Sequence, residues 1–355
     1  MANGYRGLRW LRLGIAALLA LMMAMPGLSE AKDKRDLIVM TQNLYLGSSL
    51  DPATQATNAM EFLIGVATIH ATVQFTDFPS RAALIADAIA EKNPDIIGLQ
   101  EASKWTAVDQ GTTQIQDFLA ILMDELAQRG LSYSVAAVSS NVNIGPIPLL
   151  APCSGVLGDC YVWLQDRDVI LVNNNPDLEI LNAQSGRYVT QESVVTPVGP
   201  ISFDRGWVYV EGTFNGKKFR FVNTHLEEER YPQTQEAQAL EFLAGPAKAG
   251  SAVIAVGDFN SAADGSNTKS YALLTKSYFD DAWNANPGDP GYTCCQDGTL
   301  TNVNSLLYER IDLILTHAAT RSLDAEVVAE EPFFGPTPPF WPSDHAGVVS
   351  TIRIH

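Results

Sequence analysis

The chain has 355 residues, 46% of them hydrophobic, and a formal charge of −17 at pH 7. That content supports a large packed core, and no low-complexity tract or repeat interrupts it. The acidic balance argues against a general electrostatic grip on nucleic-acid backbones, which needs Lys and Arg, but does not exclude nucleic-acid hydrolysis, since bound metal ions can supply positive charge locally.

The first thirty-one residues read as a secretory signal peptide. Arg6, Arg9 and Arg12 precede the apolar run Gly14 to Pro26, and Ser29-Glu30-Ala31 offers small residues at the positions a signal peptidase reads. The run is short for a bilayer span, so a retained anchor is the second reading. Cleavage would leave the mature protein secreted or periplasmic.

Beyond that point β-rich runs alternate with amphipathic stretches. Leu37 to Met40 reads as a strand leading into Thr41-Gln42-Asn43, and Arg81 to Glu91 as a helix ended by Asn93-Pro94. Asp95 to Leu99 is a buried-strand run that delivers Gln100 and Glu101. Ile115, Phe118, Leu119, Leu122, Met123 and Leu126 share a helical spacing. Strands are expected at Asp168–Asn173, Gly206–Phe214, Lys218–Thr224, Ala252–Gly257, Ile311–Thr316 and Val348–Ile354, with a helix from Gln233 to Ala247. Asn215-Gly216 is a hairpin turn signal. Two long loops, about Ser139 to Asp166 and about Asn284 to Ser305, are rich in Gly, Pro, Asn and Cys, and loops of that length are usually functional. The pattern implies two packed sheets with helices outside, in one domain over residues 37–355.

Four cysteines in an exported chain point to disulfides. Cys153 and Cys160 can close a loop locally. Cys294 and Cys295 are adjacent, a strained pairing, and can instead bridge to the first two; three connectivities stay open.

One arrangement repeats along the chain: polar, metal-competent residues stand at the ends of apolar strands. Glu101 ends DIIGLQE, His225 ends FRFVNTH, Asp258 and Asn260 follow AVIAVG, Asp312 sits in RIDLIL, and Asp344-His345 precede the last strand. Taken singly, Glu101 also reads as a loop charge, Asp258 and Asn260 as an Asx turn, and His225 as hydrogen-bonded structure. Asp312 among Ile311, Leu313 and Ile314 is costly to bury unpaired, and its partner is either an arginine such as Arg310 or the imidazole of His345. Hard carboxylate oxygens suit Mg²⁺ or Mn²⁺. There is no Gly-x-Ser-x-Gly elbow, Walker loop or His-Glu-x-x-His helix, and five histidines leave little for a His-rich zinc site.

In order, TQN (41–43), GLQE (98–101), NTHL (223–226), GDFN (257–260), RIDLIL (310–315) and SDH (343–345) resemble the endonuclease/exonuclease/phosphatase superfamily. The resemblance runs from about Leu37 to His355. It implies an α/β fold of two packed, mostly antiparallel sheets flanked by helices, the four-layer sandwich of DNase I. It implies that Glu101, with Asn43 and Asp344, holds Mg²⁺ or Mn²⁺. Asp258 would position the attacking water, Asn260 would hold water and substrate, and Asp312–His345 would contact the scissile phosphate. His225 matches the nucleases of the DNase I type and the sphingomyelinases, where repair endonucleases carry Tyr. Arg167, in DRDVILVN, roughly matches a phosphate-reaching position. The expected activity is hydrolysis of a phosphoester by water without a covalent intermediate. Nucleic acid, phospholipid head groups and small phosphate esters remain as substrate classes, with a non-catalytic binding module on the same scaffold as a further alternative. The aromatic stretch Phe333-Phe334 and Pro338 to Trp341 suggests peripheral membrane contact or a packed rim loop. No protein partner is indicated, and a monomer is expected.

Overall fold

A computed structural model describes residues 35–151, 153, 158–276, 278–333, 338 and 340–355. The signal-peptide reading, and Phe334 and Pro339 of the aromatic stretch, lie outside these residues. Among them, no helix is long and apolar enough to cross a membrane.

Two sheets dominate. In the first, β1 (Leu37–Asn43) runs parallel to β2 (Ile96–Gln100) and antiparallel to β17 (Gly347–Ile354). The order continues from β2 through β6 (Cys160–Asn173) to the hairpin β3 (Lys104–Asp109) and β4 (Thr112–Asp117), with β5 (Tyr133–Pro148) paired on β6. Two short strands, β15 (Thr320–Ser322) and β16 (Glu326–Val328), pair with β17. In the second sheet β12 (Ala252–Asp258) lies parallel to β11 (Lys217–His225) and antiparallel to β14 (Asp312–His317). β10 (Gly206–Phe214), β7 (Leu178–Arg187) and β13 (Asp280–Asp281) complete it. A separate hairpin joins β8 (Glu192–Thr196) and β9 (Gly199–Phe203).

The period of two along each strand sorts side chains into layers. Leu37, Val39 and Ile96 from the first sheet meet Phe219, Phe221, Ile254, Val256 and Ile314 from the second in a buried inner layer. The opposite face of the first sheet, through Met40, Ile97 and Leu99, is covered by α2 (Ala59–Phe75), α3 (Phe78–Lys92) and α4 (Phe118–Gln128). A single turn, α1 (Asp51–Thr54), precedes α2. Val253, Ala255, Leu313 and Leu315 face α5 (Pro232–Ala244) and α6 (Ser270–Thr275). The result is the helix–sheet–sheet–helix sandwich expected from the sequence.

Several local expectations change. Ile115 belongs to β4 rather than to a helix and is 58% exposed, because residues 112–117 pair across Gln110-Gly111 with β3. Most of the predicted loop 139–166 is strand: β5 and β6 pair through three register shifts, which accommodate its Gly, Pro and Asn residues. The region 286–311 contains no strand among its described residues. Disulfides join Cys153 to Cys160 and Cys294 to Cys295, so the adjacent pair bridges within itself. Trp341 is 2% exposed, packs with Tyr45 and Leu300 and donates to the Asn302 carbonyl at 2.7 Å, so it forms part of the packed rim and is not free to enter a membrane interface.

Near one end of the sandwich the inner layer turns polar. Asn223, which follows Phe219 and Phe221 on the same face of β11, donates to the Leu99 and Val169 carbonyls of the opposite sheet at 2.8 and 3.0 Å. It also accepts from Gln100 Nε2 at 2.6 Å. Gly98 gives this amide room, since a Cβ there would fall 2.9 Å from Asn223 Cγ. One buried carboxamide therefore ties the two sheets together just below their rim.

Candidate active site

The alternation that builds the inner layer also builds the site. Positions 37, 39, 41 and 43 of β1 face inward, as do 219, 221, 223 and 225 of β11, 252, 254, 256 and 258 of β12, and 312 and 314 of β14. Each series is apolar at depth and polar at the rim. Register then aligns the rim residues: His225 lies beside Asp258, and Asp258 beside Asp312. Asn43 arrives from the opposite sheet, and its Nδ2 donates to Asp258 Oδ2 at 3.1 Å. Glu101 follows β2 with φ 52°, and Asn260 follows β12 with φ 49°, left-handed backbone that turns the chain at the end of each strand.

Asp258 is the hub. Its Oδ1 accepts from the Asn260 amide at 2.9 Å, and its Oδ2 lies 3.4 Å from His225 Nε2 and 3.8 Å from His345 Nε2. Asn260 Nδ2 sits 3.1 Å from His225 Nε2 and donates to the Leu226 carbonyl at 3.0 Å. His345 Nδ1 meets Asp312 Oδ2 at 2.8 Å, so the imidazole, not Arg310, is the partner of this buried acid. Arg310 pairs with Asp281 at 2.8 Å. The Sγ atoms of Cys294 and Cys295 stand 3.7 and 4.0 Å from His345 Nε2 and wall that side of the ring.

Burial and charge set the protonation tendencies. Burial alone lowers the His345 pKa, but the carboxylates of Asp312, Asp344 and Asp258 outweigh it and hold the ring well above the ordinary histidine value. His225 moves well below that value through burial, then through Arg205 and His345, and its Nδ1 has no partner among the described residues. Asp258 is pushed up to about 7 by burial and then by Asp312. Glu101 is pushed up to about 8, first by burial and then by Asp344 and Asp166. Like charges held this close call for a cation. The donor set fits a hard one: Glu101 and Asp344 offer carboxylates on the cleft wall, and Asn43, bonded to Asp258 behind it, carries a neutral amide oxygen that accepts from the Tyr45 amide at 2.9 Å.

These groups line a cleft of about 380 Å³, whose wall also carries Tyr45, Asp166, Glu192, Phe203, Arg205, Glu227 and Tyr308. The structure thus gathers Glu101, His225, Asp258, Asn260, Asp344 and His345 on the cleft wall, with Asn43 and Asp312 bonded directly behind them. Arg167 is not among them. Its guanidinium binds Asp117 at 2.5 Å and the Ala102 carbonyl at 2.8 Å on the far side of β6, because the register of that strand turns it toward β4. The cleft's inner guanidinium is instead Arg205, between β9 and β10. No motif in the sequence marks it.

The family model described as Endonuclease/Exonuclease/phosphatase family matches residues 40–345. The chain belongs to the endonuclease/exonuclease/phosphatase family. Members are phosphoesterases that generally use divalent metals, and the protein is a phosphoric ester hydrolase of this type. Solved structures with the same fold include an endonuclease/exonuclease/phosphatase family protein from Bacteroides thetaiotaomicron, 15% identical, with 90% of this chain and 98% of that one covered and a TM-score of 0.58. A mannosyl-6-phosphatase from the same organism is 16% identical, with 90% and 100% covered and a TM-score of 0.55. TDP2 from D. rerio, complexed with a single-strand DNA product, is 15% identical, with 90% and 99% covered and a TM-score of 0.54. No curated protein matches the sequence significantly.

Proposed function

We propose that the protein is an exported phosphoesterase dependent on Mg²⁺ or Mn²⁺, hydrolysing a phosphodiester by in-line attack of water. The reading rests on one observation: an unbroken run of contacts from Asn43 through Asp258 to His225 and Asn260, with His345 and its Asp312 alongside. Glu101, Asp344 and Asn43 would hold the ion. When bound, it polarises the phosphoryl oxygens and stabilises the departing oxygen. Asp258, oriented by Asn43 and the Asn260 amide, takes the proton of the attacking water. Asp312 on Nδ1 fixes the His345 tautomer and leaves Nε2–H free to donate to the phosphate as negative charge builds. His225 and Asn260 hold the water and a second phosphate oxygen. Export is inferred from residues 1–31 alone.

The charge on the cleft favours a small ester or lipid head group over a polynucleotide. Asp51, Glu192, Glu228, Glu229 and Glu309 border the opening and would repel a polymer of phosphates. EDTA-sensitive cleavage of bis-p-nitrophenyl phosphate, restored by Mg²⁺ or Mn²⁺, tests the activity. Total inertness with either ion would favour a binding module. Plasmid DNA, RNA, sphingomyelin and sugar or inositol phosphates, assayed side by side, then sort the substrate.

A further inference from the structure

An anionic substrate entering this acid-lined cleft needs a fixed positive group besides the ion and His345. Two arginines line the cleft. Arg230 is partly exposed at the rim and already engaged by Asp51 at 2.9 Å and Glu228 at 2.7 Å. Arg205 is different. It is 9% exposed, and among the described residues its guanidinium makes one long contact, Nη2 to Glu227 Oε1 at 3.5 Å, while Nε has no partner. Five N–H donors on a buried guanidinium are costly to leave unmet. Glu227 is 2% exposed, and its Oε1 also accepts from the Glu228 amide at 3.0 Å, which pins the carboxylate that faces Arg205. The Arg205 backbone is equally fixed: its N–H donates to Gln191 Oε1 at 2.7 Å, and its carbonyl accepts from Gln191 Nε2 at 2.8 Å and the Tyr188 amide at 3.1 Å. A preorganised, under-satisfied cation on the wall that also carries His225 and Glu101 has the properties of a phosphate-oxygen anchor.

We infer that Arg205 binds a non-bridging oxygen of the substrate phosphate and sets its position between His225 and the acidic pocket. The inference rests on the phosphoesterase reading for its substrate, but not for its test. Inorganic phosphate is the probe: its affinity is measured by calorimetry at fixed Mg²⁺ for wild type, Arg205→Gln and Arg205→Lys. KM and kcat for bis-p-nitrophenyl phosphate are measured beside it.

Arg205→Gln should weaken phosphate binding and raise KM by about ten- to a hundredfold, the scale of a hydrogen bond to a charged group, with kcat changed much less. Arg205→Lys keeps the charge without the fork and should fall between. Added guanidinium should partly restore Arg205→Ala, which a purely structural arginine would not allow. If Arg205→Gln impairs folding, the lysine variant and guanidinium rescue decide the question. Unchanged phosphate affinity and KM in a folded variant would overturn the inference, as would a fall in kcat alone that guanidinium does not relieve. A wild-type protein that binds phosphate through Arg205 yet cleaves no ester would sink the enzymatic reading and leave the anchor standing.

Discussion

Asp312→Asn tests the chemistry most directly, because it removes one charge and almost no volume. In the native protein Asp312 is fully buried, accepts from His345 Nδ1 at 2.8 Å, and receives its own backbone support from Thr293 Oγ1 at 3.1 Å. With charge centres about 4 Å apart and an effective dielectric of about 20, the ion pair contributes on the order of 4 kcal/mol to the protonated imidazole. An Asn side chain can still accept from Nδ1–H, so part of the orientation survives while the charge does not. A loss of about 3 to 4 kcal/mol from the transition state corresponds to a fall in kcat/KM of roughly 150- to 900-fold. The assay is hydrolysis of bis-p-nitrophenyl phosphate at saturating Mg²⁺, with circular dichroism and thermal unfolding to confirm the fold. A variant that is folded and within about fivefold of wild type would refute the reasoning, because the imidazole would then need neither its partner nor its charge.

Two further outcomes concern the scaffold. Gly98→Ala should cost about 1–3 kcal/mol in denaturant unfolding, because its Cβ would intrude on Asn223 and Val256 where the sheets are closest; a change below about 0.5 kcal/mol would show that the seam can yield. His70 is buried in α2, its Nδ1 has no partner among the described residues, and burial depresses its pKa. Its contribution is present above the unfolded value of about 6.5 and is lost as pH falls below it, with a slope of at most about 1.4 kcal/mol per pH unit. Unfolding curves between pH 7.5 and 5 should therefore steepen less for His70→Gln than for wild type, and identical slopes would contradict the assignment.

The site was legible because its sequence signal and its geometry have one cause. An apolar strand that must end in a polar residue at the rim writes DIIGLQE, FRFVNTH and AVIAVGD into the chain; the alternation points His225 and Asp258 into one cleft, and the left-handed turn after β2 brings Glu101 to the same wall. Asp312 stood out for the same reason, an acid inside an apolar run. What escaped the sequence lacked such a rule. The helix α2 (AMEFLIGVATIHATVQF) is apolar on nearly every side and shows little periodic contrast, because Phe62, Val66, Ile69 and Val73 pack inward while Gly65 meets the Pro52 carbonyl. The strand β5 hides behind Gly, Pro and Asn that read as loop until its bulges are seen. Arg167 was singled out only because its strand roughly matches the family, and nothing in the sequence pointed to Arg205; which arginine faces the cleft depends on the register of β6 and on a turn between strands, both set by pairing between distant residues.

The Asn223 bridge has a consequence for how such an enzyme can change. Its amide fastens the Leu99 and Val169 backbone of one sheet to β11 of the other, two residues below His225 at the cleft wall, so the rims of the two sheets are held together from beneath. A bulkier core would lift the polar rim of one sheet away from that of the other. The carboxamide thus couples tolerance for core substitutions to the spacing of the polar groups that the two sheets bring to the cleft.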